Sequence, residues 1–155
     1  MFNTFLKNKQ VKISTSNTNN NTTTFANVTG MSFPILASTI YLFQFDVIWQ
    51  SAATNTGIGL GVNGPASPTF ILVRTEIPTS LTAVVQGMQR AYSTGTAGTT
   101  IDTINVNCYA KCYGYISNGI TAGTLDFQLK SSRAGTQISV MSGTIGRLWR
   151  INPSN

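Results

Sequence analysis

The residue types able to do chemistry in this 155-residue chain are few, and their absence is informative. There is no histidine, which removes His-based triads, most zinc sites and the usual general base at neutral pH. The only acids are Asp46, Glu76, Asp102 and Asp126. A glycosidase needs two carboxylates facing each other across ~5–10 Å, and no local spacing marks such a pair. Each acid reads more simply as a solvated or Arg-paired strand residue. Cys108 and Cys112 stand four apart, and four residues of a strand span roughly 13 Å, too far for a disulfide. With no histidine or further cysteine they form no metal set, and they read as two buried thiols in a protein assembled in a reducing cytosol. Gly59-Leu60-Gly61-Val62-Asn63-Gly64 satisfies the Gly-x-Gly-x-x-Gly string. A dinucleotide site would need a helix to begin there, but Pro65 and Pro68 follow instead. No catalytic, cofactor-binding or metal-binding residue is therefore assigned, and the chain is expected not to be an enzyme.

The elements that must position these residues read as strands. The chain is organised around Thr29–Pro68. From Tyr41 to Trp49 the odd positions are Tyr41, Phe43, Phe45, Val47 and Trp49, while Gln44, Asp46 and Gln50 interrupt the other parity. A period of two over this length makes a half-buried strand with its aromatic face in a core. Gly57, Gly59 and Gly61 alternate with Ile58, Leu60 and Val62, a strand whose bare face allows close approach. Thr69–Ile77 is a further strand closed by Pro78, and Leu81–Tyr92 alternates more weakly. Ser93–Thr100 reads as a flexible loop. In Ile104–Ile116 the residues Ile104, Val106, Cys108, Ala110, Cys112, Gly114 and Ile116 are expected inward. Tyr109, Tyr113 and Tyr115 point outward, more aromatic than a solvent face needs, and are candidates for an oligomer interface. A cover formed by the chain's own loops is the competing reading. Thr124–Lys130 is expected to keep one wet face, and Gln137–Met141 and Thr144–Ile151 close the chain. Short strands between turn signals predict an all-β, antiparallel β-sandwich or jelly roll.

Hydrophobic residues make up 41% of the chain, but only 9% is charged, against roughly 25% in a typical soluble domain. Such a polar but uncharged surface suits a protein packed in an assembly. No run approaches the 18 apolar residues of a membrane span, and Met1–Lys7 lacks the apolar region of a secretory signal. Three triplets, beginning at Asn20, Asn21 and Asn27, match the glycosylation pattern, which composition explains without a signal. Residues 1–28 differ from the remainder. Phe2, Phe5 and Leu6 form a small apolar cluster, and Val11–Thr15 resembles a short strand. The polar tract Ser16–Thr24 cannot bury enough surface to fold alone. Residues 1–28 are thus expected to be an extended arm lying on a partner, with the folded domain at 29–155. Of a net charge of +6, Lys7, Lys9 and Lys12 lie in the first twelve residues, and Arg147 and Arg150 near the end. The remaining cations are scattered, with no nucleic-acid-binding motif, so an acidic protein surface is the expected partner rather than nucleic acid.

Thr29–Pro34 (TGMSFP), Thr39–Phe45 (TIYLFQF), Gln50–Gly57 (QSAATNTG) and Val62–Thr69 (VNGPASPT) follow one another in order. Together they resemble a domain recurrent in structural proteins of tailed bacteriophages, found in capsid decoration (cement) proteins and in tail or fibre proteins. Ile104–Gly114, Gly123–Leu129 and Val140–Thr144 continue the resemblance to about residue 150. It brings no catalytic residues. It implies a virion component on the capsid surface, assembled in the host cytoplasm, trimeric, and binding and stabilising the shell of the major capsid protein. Phe2, Phe5, Leu6, Lys7, Lys9, Lys12, Arg147 and Arg150 are the residues expected to meet that shell. The alternative within the resemblance is a tail or fibre protein whose tyrosines stack on host glycans. In that case carboxylates or amides would cluster with the rings, and along the chain only Asn105 and Asn107 qualify. A free-standing cytosolic binding module is the third reading.

Overall fold

The computed structural model describes residues 8–151. Among them lie eleven strands and no helix: β1 (Asn8–Ile13), β2 (Thr18–Asn20), β3 (Ala26–Ile35), β4 (Ile40–Ser51), β5 (Ile58–Asn63), β6 (Phe70–Pro78), β7 (Val84–Gln89), β8 (Cys108–Ser117), β9 (Gly123–Ser131), β10 (Ile138–Val140) and β11 (Ile145–Ile151). Every pairing is antiparallel. The larger sheet runs β1-β11-β4-β8-β6-β7, with β10 joining both β4 and β2, and the smaller runs β3-β9-β5. The chain crosses repeatedly between the two sheets, as in the expected antiparallel β-sandwich of jelly-roll type.

The alternation read from the sequence fixes β4. Tyr41, Phe43, Phe45, Val47 and Trp49 are all buried, and their neighbours on the other parity are not. Phe45 stacks on Phe127 of β9 with ring centroids 4.4 Å apart and leans on Phe33 of β3 at 6.0 Å, so aromatic contact joins the sheets across the core. Leu60, Val62, Leu125 and Leu129 complete the other wall. Each of these side chains removes enough apolar surface from water to stabilise the fold by about 1.5–3 kcal/mol.

The glycine face of β5 is covered by this chain itself. The carbonyls of Ile58 and Val62 accept from the amides of Gly98 and Ser93 at 3.0 Å each, and that of Leu60 accepts from the Gln89 amide nitrogen at 3.1 Å. A Cβ on Gly57 would lie 2.1 Å from the carbonyl oxygen of Gly98, and one on Gly95 2.0 Å from that of Leu60. The segment after β7 thus closes the edge of the smaller sheet, and the backbone approach requires glycine on both sides.

Four expectations are corrected. Residues 8–28 are not an arm extended onto a partner. β1 pairs residue by residue with β11, from Asn8 opposite Arg150 to Ile13 opposite Ile145. β2 pairs with β10, and the proposed boundary at 28/29 falls inside β3, where Val28 is a core residue. The polar tract is held by Asn20, whose Nδ2 donates to the carbonyls of Thr24 and Leu129 at 3.0 Å each. Its Oδ1 accepts from the amide and hydroxyl of Thr22. Composition predicted no fold because it does not count such bonds. Second, Ile104 and Val106 precede β8 in a loop and are 45% and 48% exposed rather than inward. Third, the expected wet face of β9 is covered at its centre, where Gln128 is buried between Ser93 and Asn27, to which it is hydrogen-bonded, while Asp126 and Lys130 on either side stay half-exposed. Fourth, of the two cysteines, which are both free, only Cys112 is fully enclosed, and Cys108 is half-buried. Burial pushes the Cys112 thiol far up, and burial with the Asp102 charge raises that of Cys108, so neither is a ready nucleophile.

Truncating Asn20 to Ala strands two backbone carbonyls and the Thr22 donors. It is expected to cost about 2–3 kcal/mol in urea unfolding. An unchanged midpoint would show that the tract is held by β2 pairing alone.

Candidate functional site

The outer face of the larger sheet gathers the residues singled out by the sequence. Register sets three rows across it. The first runs Lys9, Trp149, Leu42, Tyr115, Leu72; the second Val11, Arg147, Gln44, Tyr113, Arg74, Met88; the third Ile13, Ile145, Asp46, Lys111, Glu76, Gln86. The first two enclose a shallow groove of about 520 Å³, lined by Trp149, Leu42, Gln44, Leu72, Arg74, Tyr113 and Tyr115, with Phe43 and Gly114 between them. Its walls are overwhelmingly apolar. Beyond it, Phe70 is exposed and meets Tyr115 edge-on with centroids 5.9 Å apart, while Val11, Ile13, Val84 and Met88 are exposed toward the two edges. The row Trp149, Leu42, Tyr115, Leu72, with Phe70 beside it, is an apolar strip on a sheet face of the kind that marks an interaction site.

All three tyrosines lie on this face, as expected, but the hydroxyls of Tyr109 and Tyr113 are tied down by acids on the flanking strands. Tyr109 donates to Asp46 Oδ1 at 2.5 Å, and Tyr113 donates to Glu76 Oε1 at 2.8 Å. Partial burial, then the bond to Asp46 and its charge, push the Tyr109 hydroxyl up to about 12. Asp46 is the hub. It also accepts from Gln44 Nε2 at 2.9 and 3.1 Å, and Arg147 Nη1 forms a close ion pair with its Oδ2. Burial pulls its carboxyl upward, but the bonds from Tyr109, Gln44 and Arg147 and the Arg147 charge outweigh it and hold the group below its ordinary 3.8. Glu76 has Arg74 at 3.7 Å, and Arg74 donates to Gln86 at 2.6 Å.

Two of the four acids therefore share one face, with Lys111 standing between them in register. A strand separates them, so their backbones lie about 10 Å apart. As an acid–base pair they are badly placed: Asp46 is held ionised by three donors and has no proton to give. Among the described residues no group of three His, Cys, Asp or Glu side chains could hold a metal. What the face can do is bind.

The basic candidates from the two chain ends meet on the β1–β11 ribbon. Lys9 places its ammonium 5.9 Å from the Trp149 ring centroid on the outer face, and Lys12 lies 5.6 Å from that of Phe33. Arg150 and Lys9 share a cleft of about 260 Å³ with Gln10, Pro34, Leu36 and Tyr41. Arg147 is committed to Asp46. Phe2, Phe5, Leu6 and Lys7 lie outside the described residues. Sequence reasoning missed Trp149, Leu42, Leu72 and Phe70, which belong to three different strands besides that of the tyrosines. The available signal was an apolar residue on the polar parity, as with Leu42 in β4. It also missed that Gln44 and Arg74 sit beside the tyrosine rings, whereas Asn105 and Asn107 lie in the loop before β8.

No protein-family model and no curated protein matches the chain. Solved structures similar to it include an Eiger TNF from S. frugiperda, at 7% identity and a TM-score of 0.47, over 97% of this chain and 95% of that one. The VP2 subviral particle of infectious bursal disease virus is similar at 9% identity and a TM-score of 0.32, over 96% of this chain and 43% of that one. The Gx strain of the same virus gives 10% identity and 0.26, over 94% and 37%. Likenesses this distant carry no argument about function, and the reading below rests on the surface itself.

The state of Asp46 gives a pH prediction. Its folded-state value lies below the unfolded one, so its contribution is full above about pH 4 and is lost as pH falls through the folded value. The stability difference between the native chain and Asp46→Asn should therefore shrink between pH 5 and pH 2, as read by urea unfolding at each pH. A difference constant over that range would show that the ion pair and its hydrogen bonds contribute nothing through charge.

Proposed function

We propose that this chain is a non-enzymatic structural protein of a virion, of the capsid decoration (cement) type, which binds the assembled shell of the major capsid protein and stabilises it. The observation that carries the reading is the outer face of the larger sheet: an apolar, tyrosine-bearing strip whose few charges are mostly paired, bordered by a basic ribbon. Such a face suits a protein partner at its centre and an acidic one at its rim. The resemblance of Thr29–Pro68 to tailed-phage structural proteins points to the capsid as that partner. In this reading Tyr109, Tyr113 and Tyr115 form the contact between copies of a trimer, and Lys9, Lys12 and Arg150 touch the shell. The mechanism is mass action: a protein that binds only the assembled shell adds its binding free energy to the assembled state. Linked copies multiply a weak contact.

One observation favours the runner-up, a tail or fibre protein that binds host glycan. Gln44 and Arg74 supply an amide and a guanidinium beside Tyr113, Tyr115 and Trp149, the mixture of stacking and hydrogen bonding that sugars need.

Adding the purified protein to empty capsids should cosediment it in many copies per particle and raise the temperature at which the shells disrupt. Lys9→Glu with Arg150→Glu should weaken the binding by about tenfold or more, the equivalent of about 1.4 kcal/mol. Failure to bind shells, together with a handful of copies per virion and retention on a glycan array, would replace this reading with the tail one.

A further inference from the structure

Among the described residues every sheet edge but one carries a device against pairing with a further strand. β1 presents Lys9 and Lys12, and β2 is only three residues long. β3 is broken by a bulge between Asn27 and Ser32 and carries Pro34, and β5 is closed by the segment after β7. β7, at the end of the larger sheet away from β1, pairs with β6 alone and has none of these. Its sequence, Val84-Val85-Gln86-Gly87-Met88-Gln89, holds no charge and no proline, and Val84 and Met88 are exposed. The alternation of its ladder is set at the hairpin, where the Thr79 amide donates to the Ala83 carbonyl at 2.9 Å. Counting on from that pair, Val85, Gly87 and Gln89 bond across to β6, and the N–H and C=O groups of Val84, Gln86 and Met88 point off the edge.

We infer that β7 pairs with β7 of a second copy, antiparallel about a two-fold axis at Gln86, so that the larger sheet runs on from one copy into the next. Self-complementarity selects both the occupant and the register. With the axis at Gln86, Val84 of each copy lies opposite Met88 of the other, and the two Gln86 side chains lie opposite each other, apolar on apolar and amide on amide. All of these are pairs of the hydrogen-bonded kind, so the free backbone groups of the edge find partners. On the inner face Val85 comes opposite Gly87 of the other copy, which has no side chain to obstruct it. An axis one residue away on either side would set Val84 or Met88 against Gln86 instead. A neutral strand meets no like-charge repulsion from its own copy, as the lysines of β1 would. The same register brings Leu81, at the hairpin tip, to the level of Ala91 of the other copy, each five residues from the axis. Leu81 is 99% exposed, and beside Ala91 a mostly apolar cleft of about 440 Å³ opens between Phe70, Ile71, Arg90 and Tyr92. An exposed knob and a hole to receive it thus stand on either side of the axis. The contact lies apart from the tyrosine face and concerns the free protein, whatever that face binds.

Sedimentation velocity of the full chain tests the pairing. Gln86→Pro removes one free N–H and leaves the bonds to β6 intact, so its urea midpoint should stay near the native one while the mass of the assembly falls about twofold. Val84→Lys with Met88→Lys sets like charges opposite each other and should raise the dissociation constant about tenfold or more. Val84→Lys with Met88→Glu sets opposite charges at the same positions and should restore the native mass. If the proline variant unfolds, the two charged variants decide. Native mass in the double-lysine variant, or a native chain that sediments as one copy at about 100 μM, would overturn the inference. Equal loss of mass in both charged variants would overturn the pairing about Gln86.

Discussion

A shift of one residue in the pairing of β4 would exchange its two faces, and nearly everything else follows from the fact that it cannot. With Tyr41, Phe43, Phe45, Val47 and Trp49 inward, the aromatic contacts to Phe33 and Phe127 exist, and the smaller sheet has something to pack on. With Leu42, Gln44, Asp46 and Ile48 outward, the opposite face acquires both its apolar strip and its hub of charge. Five large side chains on one parity and an aspartate on the other leave no alternative register of similar energy.

Placing Asp46 beside the apolar strip, on the same face, solves a problem that the composition creates. A protein with so few charges has little to keep one flat sheet face from meeting another in the wrong place. Asp46 takes bonds from Gln44 of its own strand, Tyr109 of β8 and Arg147 of β11. It thereby pins side chains across three strands while keeping a polar centre on the sheet. Glu76, held by Tyr113 and Arg74, repeats the arrangement one strand further on. Tyr109 and Tyr113 thus spend their hydroxyls within the chain and present their rings outward.

What was legible from sequence is what depends on local periodicity: the parity of β4, the glycine row of β5, the outward tyrosines of β8 and hence the all-β class. What was hidden depends on residues distant along the chain. Asn20 looks like one polar residue in a polar tract, and nothing local reveals that its side chain bridges to Leu129. Ile104 and Val106 continue the alternation of β8 but have no strand opposite them, because β4 is already paired through Trp49 with Cys108 and turns away at Ser51. The groove is assembled from β4, β6, β8 and β11, and the meeting of Lys9 with Arg150 requires the two ends of the chain to be neighbours. Composition read the first thirty residues as an appendage, whereas register makes Asn8–Ile13, Thr18–Asn20 and the start of β3 part of the sandwich.

That neighbourhood has a kinetic meaning. In the larger sheet β1 hydrogen-bonds to β11 alone, and β11 in turn pairs with β4. During synthesis β1 waits for β11 before its ladder can close, with the nine strands described between them made in the interval. Contacts of such long sequence separation are the slow ones in folding. Until they form, β4 stands with one edge open, bearing the most aromatic sequence in the chain. The interval between emergence of β4 and release of β11 is therefore when this protein is most exposed to pairing with the wrong strand.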